Sequence, residues 1–123
     1  MKAYTDIEQS KKLAEILPLE SADMYYFLDP TPAGNIYHLT VQRVDVGIKN
    51  LPHYDEGDVP CWSLTALFNL CPTINEKQPI LTRGKLTRLW YCYYEDEMDT
   101  QTYDNPVDAC VEMILKLKEQ NLL

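Results

Sequence analysis

Basic side chains are scarce in this chain. Lysine and arginine number 11 against 19 aspartates and glutamates, a formal net charge of −8. A general nucleic-acid binder carries a basic face, and adhesion to anionic membranes needs one too, so neither partner is expected. No apolar run approaches the length of a membrane span. The opening stretch MKAYTDIEQSKK has no apolar h-region, so no signal peptide is expected. The four cysteines, Cys61, Cys71, Cys92 and Cys110, contain no CxxC pair. Cys71, Cys92 and Cys110 fall on apolar faces of predicted elements. They read as buried, reduced thiols of a cytoplasmic protein, with two disulfides as the alternative. There is no Walker pattern, no GxGxxG, no Ser/His/Asp signature and no repeat of fixed sequence, so no cofactor is expected.

What the chain does have is enough apolar material for one core. Its 123 residues are 46% hydrophobic, which suits a single domain over 1–123 and argues against disorder. The clearest element is the helix within NPVDACVEMILKL. Asn105 can cap it, and Pro106 suits the first helical position. Val107, Cys110, Val111, Ile114 and Leu115 make one apolar stripe, widened by Met113 and Leu117. Glu112 and Lys116 form an i, i+4 pair on the other side. A second striped helix carries Leu64, Leu67, Phe68 and Cys71, with Ser63 as cap and Pro72 as stop. A weaker one opens at Thr5, where Thr5 to Glu8 matches a capping box, and ends at Pro18.

Two hairpins lie between these helices. The first pairs ADMYYFLD with IYHLTVQRV across a long Pro/Gly/Asn tip. Its first strand is apolar on both faces and should be central or covered twice; its second alternates more cleanly and suits one wet face. The segment Asp45 to Pro60 reads as a surface loop. The second hairpin spans Gln78 to Tyr94, with Arg83-Gly84-Lys85 at its tip. EDEMDTQTYD reads as an acidic linker. The whole is an α+β domain in the order α-β-β-α-β-β-α, with an antiparallel sheet and helices mainly on one face.

Four constellations invite chemistry. His53, Asp55 and Asp58 in one loop can in principle ligate a divalent cation, although the loop lacks the EF-hand pattern and reads more simply as a solvated acidic loop. Glu95, Asp96, Glu97, Asp99 and Asp104 read as a wet linker. Arg83, Lys85 and Arg88 around Gly84 offer a phosphate a basic turn, but a solvated hairpin tip is the simpler account. Cys61, at a predicted helix start, would need His38 or His53 brought alongside to act as a nucleophile. None of these carries a catalytic assignment.

The aromatic residues say more. Tyr25, Tyr26, Phe27, Tyr37, Trp90, Tyr91, Tyr93 and Tyr94 all fall on predicted strands. Three helices on one side cannot cover both faces of a four-stranded sheet. Tyrosine and tryptophan suit interfaces because they bury area and keep a polar tip. Tyr25, Phe27, Tyr37, Trp90, Tyr91, Tyr93 and Tyr94 are therefore the interface candidates. Twist, loops and the first helix covering the second face is the competing account. The expected activity is a non-catalytic protein-interaction module, either a homo-oligomer or the partner of another protein. An acidic mimic of nucleic acid that blocks a DNA-binding enzyme is the first alternative, and a metal-dependent or cysteine enzyme the second.

PCWSLTALFNLCP, followed by DNPVDACVEMILKL, with EQSKKLAEILPLESADM near the start, resembles a recurrent small-protein family of gut anaerobes and their phages. Ser63, Leu64, Leu67, Pro72, Asn105, Pro106, Val107 and Ala109 carry the likeness. The family has no established activity. The resemblance implies a cytoplasmic protein of phage-derived origin and assigns no catalytic residue.

Overall fold

The structure is a computed structural model that describes residues 1–41 and 57–123. The described chain is α+β, with three α-helices and two antiparallel three-stranded sheets. The expected order holds, with two short strands added. The strands do not form one four-stranded sheet: each hairpin is the nucleus of its own. Contacts divide the chain into two compact units, one made of Met1–Thr5 with Leu64–Leu123, the other of Asp6–Ser63.

In the Asp6–Ser63 unit, helix α1 spans Ile7–Ala14. Its cap is Asp6 and not Thr5: the Asp6 carboxylate accepts from the Gln9 N–H, and the Gln9 side chain accepts from the Asp6 N–H. Two overlapping S/T/D-x-x-E/Q patterns compete here, and buried Thr5 leaves the job to its neighbour. Strands β1 (Met24–Thr31) and β2 (Gly34–Val41) pair in register from Met24↔Val41 to Thr31↔Gly34. The tip is tighter than PTPAGN suggests, because Gly34 takes φ +127°, a conformation that side chains rarely adopt. β3 (Val59–Cys61) pairs with the start of β1, giving the order β2-β1-β3.

The doubly apolar strand is thus the central one, as its sequence requires. β3 corrects the reading of Asp45–Pro60 as loop throughout; Pro60 is tolerated because β3 is an edge. Beyond β3 the Asp58 carboxylate accepts from the Leu28 N–H at 3.0 Å, capping β1 where its neighbour stops. Tyr26, Val59 and Cys61 form the core with Ile7 of α1 packed on them. Trp62 is fully buried, and its indole N–H donates to the Ser21 hydroxyl at 3.0 Å. The Ser63 hydroxyl donates to Asp23.

In the other unit, α2 (Leu64–Leu70) packs on α3 (Pro106–Glu119), and α3 packs on strands β4 (Ile80–Arg83) and β5 (Trp90–Tyr94). A two-residue strand, β6 (Met98–Asp99), completes the order β4-β5-β6. The acidic stretch is therefore partly strand, and Thr87 to Leu89 belong to the hairpin loop instead of to β5. α3 is built as its sequence directs. The Asn105 side chain accepts from the Asp108 N–H at 2.9 Å, Pro106 opens the first turn, and Lys116 meets Glu112 at 3.3 Å. Val107, Cys110, Val111, Met113, Ile114 and Leu117 are buried. Cys92 and Tyr94 of β5 join Ala109, Met113 and Leu117 in one cluster, with Phe68 and Cys71 packed against it. No described helix is long and apolar enough to cross a membrane.

Candidate interaction surface

Strand β5 alternates WYCYY, and period two sends its residues to opposite faces. Cys92 and Tyr94 point to α3 and are 0% and 1% exposed. Tyr91 and Tyr93 point the other way. They are half-buried, and their rings stack with centroids 5.7 Å apart. Thr82 and Ile80 of β4 lie directly opposite them, and Ile80 is exposed. This outer face is the sheet surface that no helix of its unit covers.

It runs into an open cleft of about 420 Å³ where β5 turns into β6. The two stacked tyrosines line it together with Tyr94 and Met98. Asp96, Glu97 and Asp99 form the rim. The turn that presents them is tight: the Glu97 N–H donates to the Tyr94 carbonyl at 3.0 Å, and Asp96 adopts φ +59°, which aspartate tolerates better than most residues. Lys77 takes up part of the charge, donating to the Glu95 carbonyl at 3.1 Å and standing 3.5 Å from Asp96. Glu97 accepts from the Asn75 amide. Among the described residues no side chain bonds the Asp99 carboxylate, while the Lys116 ammonium donates to the Asp99 backbone carbonyl at 2.6 Å. The rim is net negative.

The β6 edge of this surface is stapled to α3 by one carboxylate. Glu112 accepts from the Gln101 N–H at 3.0 Å and from the Tyr103 hydroxyl at 2.7 Å. Burial works to raise its pKa, but these bonds and Lys116 overcome that and hold it below the ordinary value. The same hydrogen bond, with burial and the charge of Glu112, pushes the Tyr103 phenol up to about 12. Tyr103 in turn bridges Trp90 through paired backbone bonds.

Not all the aromatic candidates belong to a surface. Tyr25 is 5% exposed and Tyr94 is 1%, with the Tyr94 hydroxyl donating to the Pro72 carbonyl at 2.7 Å; both are enclosed by their own chain and leave the interface set. Burial raises the pKa of each. Phe27 stacks on His38 at 4.9 Å, and Tyr37 lies under the Lys11 ammonium. Tyr91 and Tyr93 are the pair that the structure brings together on the outer face, while half-buried Trp90 falls on the other face of β5 with Cys92 and Tyr94.

The other constellations are dispersed. His53 and Asp55 lie outside the described residues, and Asp58 is buried and engaged with β1. Among the described residues no group of three metal-ligating side chains converges. Cys61 is fully buried within β3. All four cysteines are free thiols. The Cys92 and Cys110 thiols interact, which lowers Cys92 and raises Cys110, while burial and then Cys92 push Cys71 up to about 12. Several carboxylates are committed to structure. Asp6 caps α1, Asp23 holds Ser63, Asp58 holds β1, Asp108 pairs with Lys2 and Glu112 holds Gln101.

Sequence reading missed the cleft because it took Glu95–Asp99 for a solvated linker. The signal present was Met98, one apolar residue set two before Thr100 within an acidic run. No family model, no curated protein and no solved structure matches the chain.

Proposed function

We propose that this chain is a non-catalytic protein-interaction module that self-associates, and that its working surface is the outer face of β5. The observation that carries the reading is the stacked Tyr91–Tyr93 pair on a sheet face no helix of its unit covers, continuous with exposed Ile80 and with the acidic cleft. Paired aromatic rings are costly to leave wet and are favoured where one protein meets another. Four free thiols accord with a reducing, cytoplasmic setting, and the two helical motifs support a phage-derived origin.

Size-exclusion chromatography with light scattering tests this. The wild-type chain should run above monomer mass at high concentration, and Tyr91→Ser/Tyr93→Ser should return it to monomer with an unchanged circular dichroism spectrum. A strict monomer at millimolar concentration that also retains no protein from its host's extract overturns the reading.

A further inference from the structure

The cleft has a complement on the same chain. Loop 84–89, which joins β4 to β5, is flanked or occupied by Arg83, Lys85 and Arg88, three of the 11 basic residues of the chain. Leu86 stands between them with 98% of its surface exposed. The loop is preformed: the Gly84 N–H donates to the Leu89 carbonyl, the Arg88 N–H to the Gly84 carbonyl, and the Leu89 N–H to the Thr87 hydroxyl. Arg83 spends one N–H on the Arg88 carbonyl. No carboxylate among the described residues pairs with any of these three cations. A rigid basic turn with an apolar tip is unusual in a chain of charge −8, and it is left unanswered within its own unit.

It cannot reach its own cleft. Tip and acidic rim sit at opposite ends of β5, which spans Trp90–Tyr94 and at about 3.3 Å per residue holds them roughly 13 Å or more apart. Both belong to one sheet and point away from each other. The complementarity is therefore available only between molecules.

Building on the self-association proposed above, we infer that the 84–89 hairpin tip of one copy docks into the Tyr91/Tyr93 cleft of a second copy. Leu86 seats against the stacked rings, and Lys85 and Arg88 face Asp96, Glu97 and Asp99. Each copy then offers one tip and one cleft, so two copies can exchange tips in a closed dimer, and an unreciprocated contact propagates head-to-tail to a ring or a chain of subunits. A single loop in a cleft of about 420 Å³ makes a small contact, so the association is transient and salt-sensitive.

A mixing experiment shows whether tip meets cleft. Leu86→Asp/Arg88→Glu spoils the tip and leaves the cleft; Tyr93→Ser/Asp99→Lys spoils the cleft and leaves the tip. Both sets lie at the surface, and circular dichroism checks that each folds. By sedimentation velocity each variant alone should be monomeric, while an equimolar mixture should form a dimer that grows no further. Wild-type association should weaken at least about tenfold between 50 and 500 mM NaCl. Wild-type-strength association by the tip variant, or a mixture that stays monomeric while the wild type associates, overturns the hairpin as occupant and leaves the interaction module standing. A wild-type chain that is monomeric throughout but is captured through its cleft by a lysine- and arginine-rich segment of another protein overturns the second copy as partner. A strict monomer with no partner removes both proposals.

Discussion

Replacing Glu112 by glutamine isolates one carboxylate without changing its size. In the wild type this group receives the Gln101 N–H, the Tyr103 hydroxyl and the Lys116 ammonium, at 3.0, 2.7 and 3.3 Å. Its side chain is only 19% exposed, so solvent replaces these bonds poorly. A hydrogen bond to a charged acceptor contributes about 1.5–3 kcal/mol, and glutamine keeps one oxygen to satisfy part of the set. A net loss of about 2 kcal/mol is expected for Glu112→Gln at pH 7. With an m-value of about 2 kcal/mol per molar, that moves the urea midpoint down by about 1 M. Helical circular dichroism follows the transition well, since α3 is the longest helix described.

The sign with pH is fixed by the direction of the shift. The folded-state pKa lies below its ordinary 4.5, so the stabilisation is fully present above about pH 4.5 and is lost as pH falls through the folded value. The gap between wild type and Glu112→Gln should therefore be constant from pH 7 to pH 5 and shrink steadily toward pH 3. A gap of the same size at pH 7 and pH 3 would show that charge is not what staples 101–103 to α3, and the account of the β6 edge would fail with it.

Three further outcomes follow from the same packing. Asn105→Ala removes the α3 cap and should cost about 1 kcal/mol by urea denaturation. Met113→Ala opens a hole in a fully buried position and should cost about 2–5 kcal/mol, with Cys92 and Tyr94 losing their packing and backbone amides of β5 exchanging faster. Iodoacetamide at pH 8 should label the native cysteines at least about a hundredfold more slowly than the urea-unfolded chain. Cys61, Cys92 and Cys110 are enclosed, and Cys71 is pushed up to about 12.

The helices were legible because their signals are local. Asn105-Pro106 and the 107–117 stripe specify α3 without help from elsewhere, and Leu64 to Cys71 nearly specify α2. The centrality of β1 was legible for the same reason, in MYYFL. Pairing partners were not. β3 is three residues containing a proline, and β6 is two residues inside an acidic run; each is a strand only because a neighbour supplies the ladder. No property of either hairpin announces that it will found a separate sheet. The surface was half legible. Alternation along β5 put Tyr91 and Tyr93 together, yet only the packing of α3 decides which set faces inward and sends Tyr94 to the core.

The residues Met1–Thr5 belong with Leu64–Leu123, and everything between them forms the other unit. Lys2 pairs with Asp108 at 2.9 Å, and the Ala3 carbonyl accepts from the Leu64 N–H. During synthesis this opening strip leaves the ribosome long before the groups it must meet. One unit can close while translation continues, but the other is sealed by threading its beginning back to its end. Lys2→Glu would set like charges against each other at the first turn of α3 and loosen this clasp.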